Sequence, residues 1–242
     1  MKLYTKIVYF AFAVFLLNAA QSSYGQKMKN PENLPRYDHA KYHFGFTLGF
    51  NSMDFAIRPV ENYNLLDSLC IIESKPEKGF DIGIVSNLRL TEYLDLRFIP
   101  SLSFGDRSLT YKIIKSDSIT IIKNKKVEST YIEFPFYIKY KSARFFTDVR
   151  AYVLAGAKYN IDLASQSHKK EESDEIMIKL IRHDILYQVG VGFDFYLHYF
   201  KFSVELKMAY GTRNILEYEN NIYTNGIDRL NSKIFYISFN FE

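Results

Sequence analysis

Lys233-Ile234-Phe235-Tyr236-Ile237-Ser238-Phe239-Asn240-Phe241-Glu242 decides the fold. Phe235, Ile237, Phe239 and Phe241 are large and apolar, and the positions between them are mostly polar or amphipathic. Successive side chains of a strand point to opposite faces, so a period of two gives one oily face and one wet face. Seven more stretches upstream carry the same alternation, behind an apolar leader and joined by short and long links in strict turn. The pattern predicts an all-β fold: an eight-stranded antiparallel transmembrane β-barrel with a filled polar lumen, set in an outer membrane.

Working outward, residues 42–55 place Phe44, Phe46, Leu48 and Phe50 opposite Gly45, Thr47, Gly49 and Asn51. Residues 79–90 turn Phe80, Ile82, Ile84 and Leu88 outward, with Asp81, Gly83, Asn87 and Arg89 inward. The cleanest stretch sets Leu94, Leu96, Phe98, Leu102 and Phe104 against Tyr93, Asp95, Arg97, Ser101 and Ser103. Residues 128–140 carry Ile132, Phe134, Phe136 and Ile138 outward, and Ser129, Tyr131, Glu133, Tyr137 and Lys139 inward. The same alternation marks 143–163, 183–197 and 200–212.

The links set the topology. Thr91-Glu92, Lys141-Ser142 and His198-Tyr199 read as tight turns, whereas about 56–78, 106–127, 164–182 and 213–232 read as long loops. Short periplasmic turns, long outer loops and an even strand count are the habit of bacterial outer-membrane barrels, and an even count puts both termini in the periplasm. Residues 1–25 read as a signal peptide: Lys2 and Lys6 precede the apolar run Ile7 to Ala20, and Ser23-Tyr24-Gly25 precedes the expected cut. That run is shorter than the roughly 20 residues a spanning helix needs. Residues 26–41 then form a periplasmic extension and 42–242 the barrel. The single cysteine, Cys70, excludes an internal disulfide framework and a multi-cysteine metal site.

Inside a narrow barrel, charges persist only when paired and hydrogen-bonded. By phase, Asp81, Arg89, Asp95, Arg97, Glu133, Lys139, Arg144, Asp148, Arg150, Lys158, Asp194, Glu205 and Lys207 point inward, which predicts a lumenal salt-bridge network and no open pore. Pro100 and Pro135 interrupt neighbouring strands, where proline cannot donate to the ladder; a shared bulge is expected there, as a docking point or an architectural kink.

Alternation alone does not separate inside from outside, and a soluble barrel with an apolar interior is the competing reading. The bulk of the apolar set, and the glycines and short polar residues on the other face, favour lipid outside. Aromatic content of 17% without tryptophan requires a girdle of Tyr and Phe. The net charge of +4 is dispersed, and Lys123, Lys125, Lys126, Lys169 and Lys170 read as solvated loop charge rather than a nucleic-acid patch. Of the five histidines, His39, His43, His168, His183 and His198, the first two have the His-x-x-x-His spacing but lie in an extended stretch rather than on a helix. A serine and a histidine could meet in space, but nothing in the sequence positions such a pair, and no phosphate-binding glycine loop is present. The expectation is a protein that is not an enzyme, without cofactor, small-molecule substrate or nucleic-acid partner.

Certain segments carry a resemblance. Asn33-Leu34-Pro35-Arg36-Tyr37-Asp38, His43-Phe44-Gly45-Phe46, Leu96-Arg97-Phe98-Ile99-Pro100-Ser101-Leu102-Ser103-Phe104-Gly105, Glu128-Ser129-Thr130-Tyr131-Ile132-Glu133-Phe134-Pro135 and Ala155-Gly156-Ala157-Lys158-Tyr159 resemble the PorT family, called SprT in gliding bacteria. The Arg-Phe-Ile-Pro and Glu-Ser-Thr-Tyr-Ile-Glu-Phe-Pro stretches are its specific part. The resemblance implies an integral outer-membrane component of the type IX secretion system of Bacteroidota, with other secretion subunits and outer-membrane lipid as partners. It defines no catalytic residues. Glu242 departs from barrel habit, since it moves the expected final aromatic to Phe241. The alternative from another class is a stand-alone structural or adhesion barrel that binds surface ligands through its long loops.

Overall fold

The computed structural model describes residues 33–60, 69–115, 119–146, 148–164, 179–218 and 224–242. The expected leader, residues 26–32, and His168, Lys169 and Lys170 lie outside the described residues. Among the described residues no helix is long and apolar enough to cross a membrane, which says nothing against crossing by strands.

The elements are β1 (Tyr42–Pro59), β2 (Leu69–Arg89), β3 (Leu94–Phe98), β4 (Ser101–Lys115), β5 (Ile119–Lys141), β6 (Val149–Asp162), β7 (His183–Tyr196), β8 (Lys201–Gly211) and β9 (Ile227–Phe241). Every pairing is antiparallel, and β9 returns to β1 in register from Phe46↔Phe241, closing the ring. β3 and β4 are two halves of one stave: both pair with β2 and with β5. The nine strands therefore make eight staves, as the alternation predicts. The shortest full stave, β8, has 11 residues, enough for the ~9–11 of a tilted spanning strand.

The stave is interrupted at Ile99–Pro100 because Pro100 has no N–H to give. The expected bulge is absent there. Phe98↔Phe136 and Ser101↔Glu133 keep one register across the gap, and the Ile99 N–H still reaches the Pro135 carbonyl at 3.4 Å. A register shift falls instead between Pro76 and Phe80, where β2 faces β4. Gly79 makes that close approach possible, since a Cβ there would lie 2.0 Å from the Phe104 carbonyl oxygen.

Two expected loops are mostly strand. β2 begins at Leu69, so Cys70 lies on a strand, and β4 and β5 run on as a ribbon to Lys115↔Ile119. Residues 106–127 look like a loop because their lysines hide the alternation, yet Leu109 and Tyr111 are buried while Lys126 pairs on the outside with Asp106 at 2.8 Å. The turn expected at Lys141-Ser142 is a longer link, 142–148, bridged at Phe145↔Val149.

The outer wall is apolar on every stave. Phe44 (68%), Ile84 (62%), Phe136 (56%) and Val191 (52%) are exposed, as a lipid-facing belt requires. Rings stack across neighbouring staves in this belt, Phe46 on Phe241 and Phe98 on Phe136, with centroids 4.8 and 4.4 Å apart.

Candidate functional site

The inward faces fill the barrel with side chains in three storeys. The lowest lies at the end of the short turns. Asn33 to His39 fold across it, with a single 3-10 turn at Tyr37–His39. The expected periplasmic extension is therefore, over its described part, a stopper in the barrel mouth. Asp38 holds it: Arg144 Nε donates at 2.9 Å, Arg150 Nη2 at 3.0 Å and the Tyr196 hydroxyl at 3.1 Å. Arg144 Nη1 also donates to the Asn33 carbonyl at 2.7 Å, and the Asn33 N–H donates to Asp148 at 2.9 Å. Leu34 takes a φ of 49°, a strained value for a branched side chain, and its carbonyl accepts the Tyr37 N–H at 3.0 Å. The Tyr37 ring stacks on His43 at 3.9 Å, and its hydroxyl donates to Glu242 at 3.0 Å. Burial, then the Glu242 charge, push that hydroxyl's pKa well above the tyrosine range, so it stays a donor.

The middle storey is ionic. Arg97 and Lys139 are both 0% exposed, so each needs a partner. Arg97 donates to Glu205 and to Glu242. Glu205 also pairs with Lys207 at 3.1 Å and accepts the Tyr152 hydroxyl at 2.7 Å. Glu242 takes Lys201 as a further partner at 2.9 Å. Lys139 reaches Asp194 at 2.7 Å and lies 3.5 Å above the Tyr152 ring. Asp95 holds Lys141 at 2.8 Å, and Glu133 holds Lys158 at 2.9 Å and the Tyr236 hydroxyl at 2.8 Å. Gly192 leaves room for this arrangement, since a Cβ there would come within 2.5 Å of the Tyr152 ring.

Most of the inward charges named from the sequence meet in these two storeys. Two do not. Arg89 sits at the rim and donates to the Thr91 carbonyl, because the chain is already turning there. Asp81 is buried, facing Gly49 across the β1–β2 pair, and forms no ion pair among the described residues. Arg144 and Asp148 contribute from the link 142–148 rather than from a strand.

Several lumenal residues were not anticipated as members of the network. Lys201 shares the inward parity of Ser203 and Glu205 and is placed on that face by the sequence, though not in the expected network. Lys141 follows the inward parity of Tyr137 and Lys139, and simple counting could have found it. Glu242 follows from Phe241 facing out. Asp38 had no signal, since it lies on no strand.

The upper storey is apolar, not polar as expected. Phe55, Leu109, Tyr111, Ile227 and Leu230 pack with Leu180, Ile215 and Leu216. The last three come from the described parts of two long links, where they are buried against the strands and meet at the Leu180↔Leu216 bridge. Between the storeys Arg107 serves both: its guanidinium lies 4.4 Å from the Phe55 ring centroid and donates to Ser129 at 2.7 Å. Among the described residues the lumen is packed with side chains, with Asn33 to His39 across one end and Leu180, Ile215 and Leu216 at the other.

A search of curated proteins finds no match. Among solved structures, the chain is similar to Neisserial surface protein A, with 12% identity, 83% of this chain and 98% of that one covered, and a TM-score of 0.41. It is similar to OprG of Pseudomonas aeruginosa, at 11%, 84%, 95% and 0.43 in the same order. It is also similar to Ail, the attachment invasion locus protein of Yersinia pestis, at 13%, 84%, 99% and 0.39. The family model described as an outer membrane protein beta-barrel domain matches residues 19–217, most of the chain. A closed eight-stave ring with an oily wall and a charged, filled interior therefore belongs to the family of outer membrane proteins built on this β-barrel domain.

Proposed function

We propose that this outer-membrane barrel is a non-enzymatic component of the type IX protein secretion machinery, needed for its assembly or operation, and for gliding where that occurs. The observation that carries the reading is the meeting of the two most specific PorT-like stretches. Arg97-Phe98-Ile99-Pro100 and Glu128 to Pro135 lie on adjoining staves, with Phe98↔Phe136 and Ser101↔Glu133 in register. A lumen stoppered at both ends supports a role through protein contacts at its surfaces rather than through passage of a substrate. In this reading the short-turn end and both termini face the periplasm. The wall at Pro100 and Pro135 is the candidate docking point for other secretion subunits, and no cofactor, small-molecule substrate or nucleic acid takes part.

Quantitative proteomics of culture medium and cell fractions from a complemented deletion strain tests this. Selective loss from the medium of proteins sharing a C-terminal secretion domain, with their build-up in the periplasm, is the expected result. An unchanged secretome overturns the reading. It would favour a second one, a surface-binding barrel, which is supported by the β4–β5 ribbon continuing to Lys115↔Ile119 with Ile122 and Lys123 exposed.

A further inference from the structure

Arg58 on β1 stands directly opposite Arg229 on β9. Like charges placed opposite each other across an antiparallel pair repel, with Cβ atoms about 4.5–5.5 Å apart. The pair is the last regular step before the register shifts between Arg58 and Pro59; the pairing then resumes at Pro59↔Ile227. Among the described residues Arg58 pairs with Asp228 at 3.6 Å; both side chains are more than half exposed, so the pair contributes little. Arg229 Nη2 donates to the Thr212 carbonyl at 2.6 Å.

These arginines border a groove of about 420 Å³ on the wall at the long-link end of the barrel. Its sides are Tyr187 and Tyr210, whose rings lie 5.7 Å apart, and small Ala56 gives it depth. One step toward the belt, Lys233 stands opposite Tyr210 and opposite Asp54, whose carboxylate offsets its charge, so the positive charge of the groove rests on the two arginines. Below, the same staves expose Phe235 (47%), Ile237 (46%) and Val189 (51%). The order along the wall is guanidinium pair, tyrosines, then aliphatic and aromatic surface.

We infer that this groove is a binding site for the phosphate headgroup of an anionic membrane lipid. Two guanidinium forks share the phosphate oxygens, as bidentate geometry allows, and the acyl chains lie on the belt below. The tyrosines, apolar in body and polar at the tip, suit the depth between headgroup and chain. A free phosphate would use the arginines but not the apolar surface. The inference needs the outer-membrane placement of the barrel, not the secretion reading.

The test uses the full chain refolded in zwitterionic micelles, with phosphatidic acid as the probe and thermal unfolding and native mass spectrometry as readouts. Phosphatidic acid should raise the unfolding midpoint and remain bound, whereas phosphatidylcholine and inorganic phosphate should do neither. In the double variant Arg58→Gln/Arg229→Gln the apparent Kd for phosphatidic acid should rise about tenfold or more. Without the lipid, that variant should be at least as stable as the parent, because the repulsion is gone. Unchanged affinity in the double variant overturns the inference, as does stabilisation by inorganic phosphate alone, which would mark a site for free anions. A double variant less stable without lipid would make the pair structural and overturn it too.

Discussion

The two stoppers of this barrel do the same job with opposite chemistry. At the short-turn end, Asp38 on an extended segment is gripped by two arginines and a tyrosine hydroxyl. At the long-link end, Leu180, Ile215 and Leu216 are pressed onto Phe55 and Leu230 in an apolar cluster, with the Arg107 guanidinium beneath the Phe55 ring. The lower stopper is placed by directional bonds between charged groups, each costly to leave unmade. The upper one is held by burial, which fixes volume more than orientation. A polar stopper is therefore specific and locally releasable, and an apolar one is tolerant of substitution but tied to the whole core.

Three substitutions probe that contrast, beginning with the largest effect. Arg97→Met leaves the Glu205 and Glu242 carboxylates without their shared cation in a water-poor lumen, and is expected to cost about 3–5 kcal/mol. Urea unfolding of the refolded barrel in micelles reads it directly; a loss below that of the apolar substitution that follows would reverse the ranking. Leu230→Ala opens a cavity in the upper storey, with an expected loss of about 2–5 kcal/mol by the same titration. Limited proteolysis at residues 33–41 should be unchanged in that variant, since no Leu230 contact crosses to the lower end. Asp38→Asn removes only the stopper's charge and should weaken its seating by about 1.5–3 kcal/mol. Cleavage within 33–41 should then become faster while the global unfolding midpoint barely moves. Equal loss of both would show that the lower stopper is part of the cooperative core.

Legibility in the sequence follows from the same contrast. Period two assigns a face wherever a strand is regular, which is why Arg97, Lys139, Asp194 and Glu205 could be put on one face by parity, and inside once the bulk of the opposite face put lipid outside. Parity says nothing about segments that are not strands, so Asp38 and the inward fold of Leu180, Ile215 and Leu216 left no trace. It also fails across a register shift. Below Pro76–Phe80 the inward residues of β2 are odd-numbered, such as Asp81 and Val85, whereas above it Ile72 packs toward the core. A shift of that kind cannot be counted from one strand's own sequence, because it exists only relative to a partner. The proline rule pointed to the right residues with the wrong consequence, since an interrupted ladder need not gain a residue. The groove under Arg58 and Arg229 was hidden for a related reason: the two residues are far apart in sequence and meet only at the seam where the ring closes.

That seam gives the lower stopper a meaning in time. The segment 33–39 is received by Arg144 in a link, Arg150 on β6, Tyr196 on β7 and Glu242 after β9, while it leads directly into β1. Its berth is assembled from both edges of the ring and is incomplete while the edges are apart. The first described residues of the chain are thus fastened across the seam by Glu242, and the latch is whole only when the cylinder is closed.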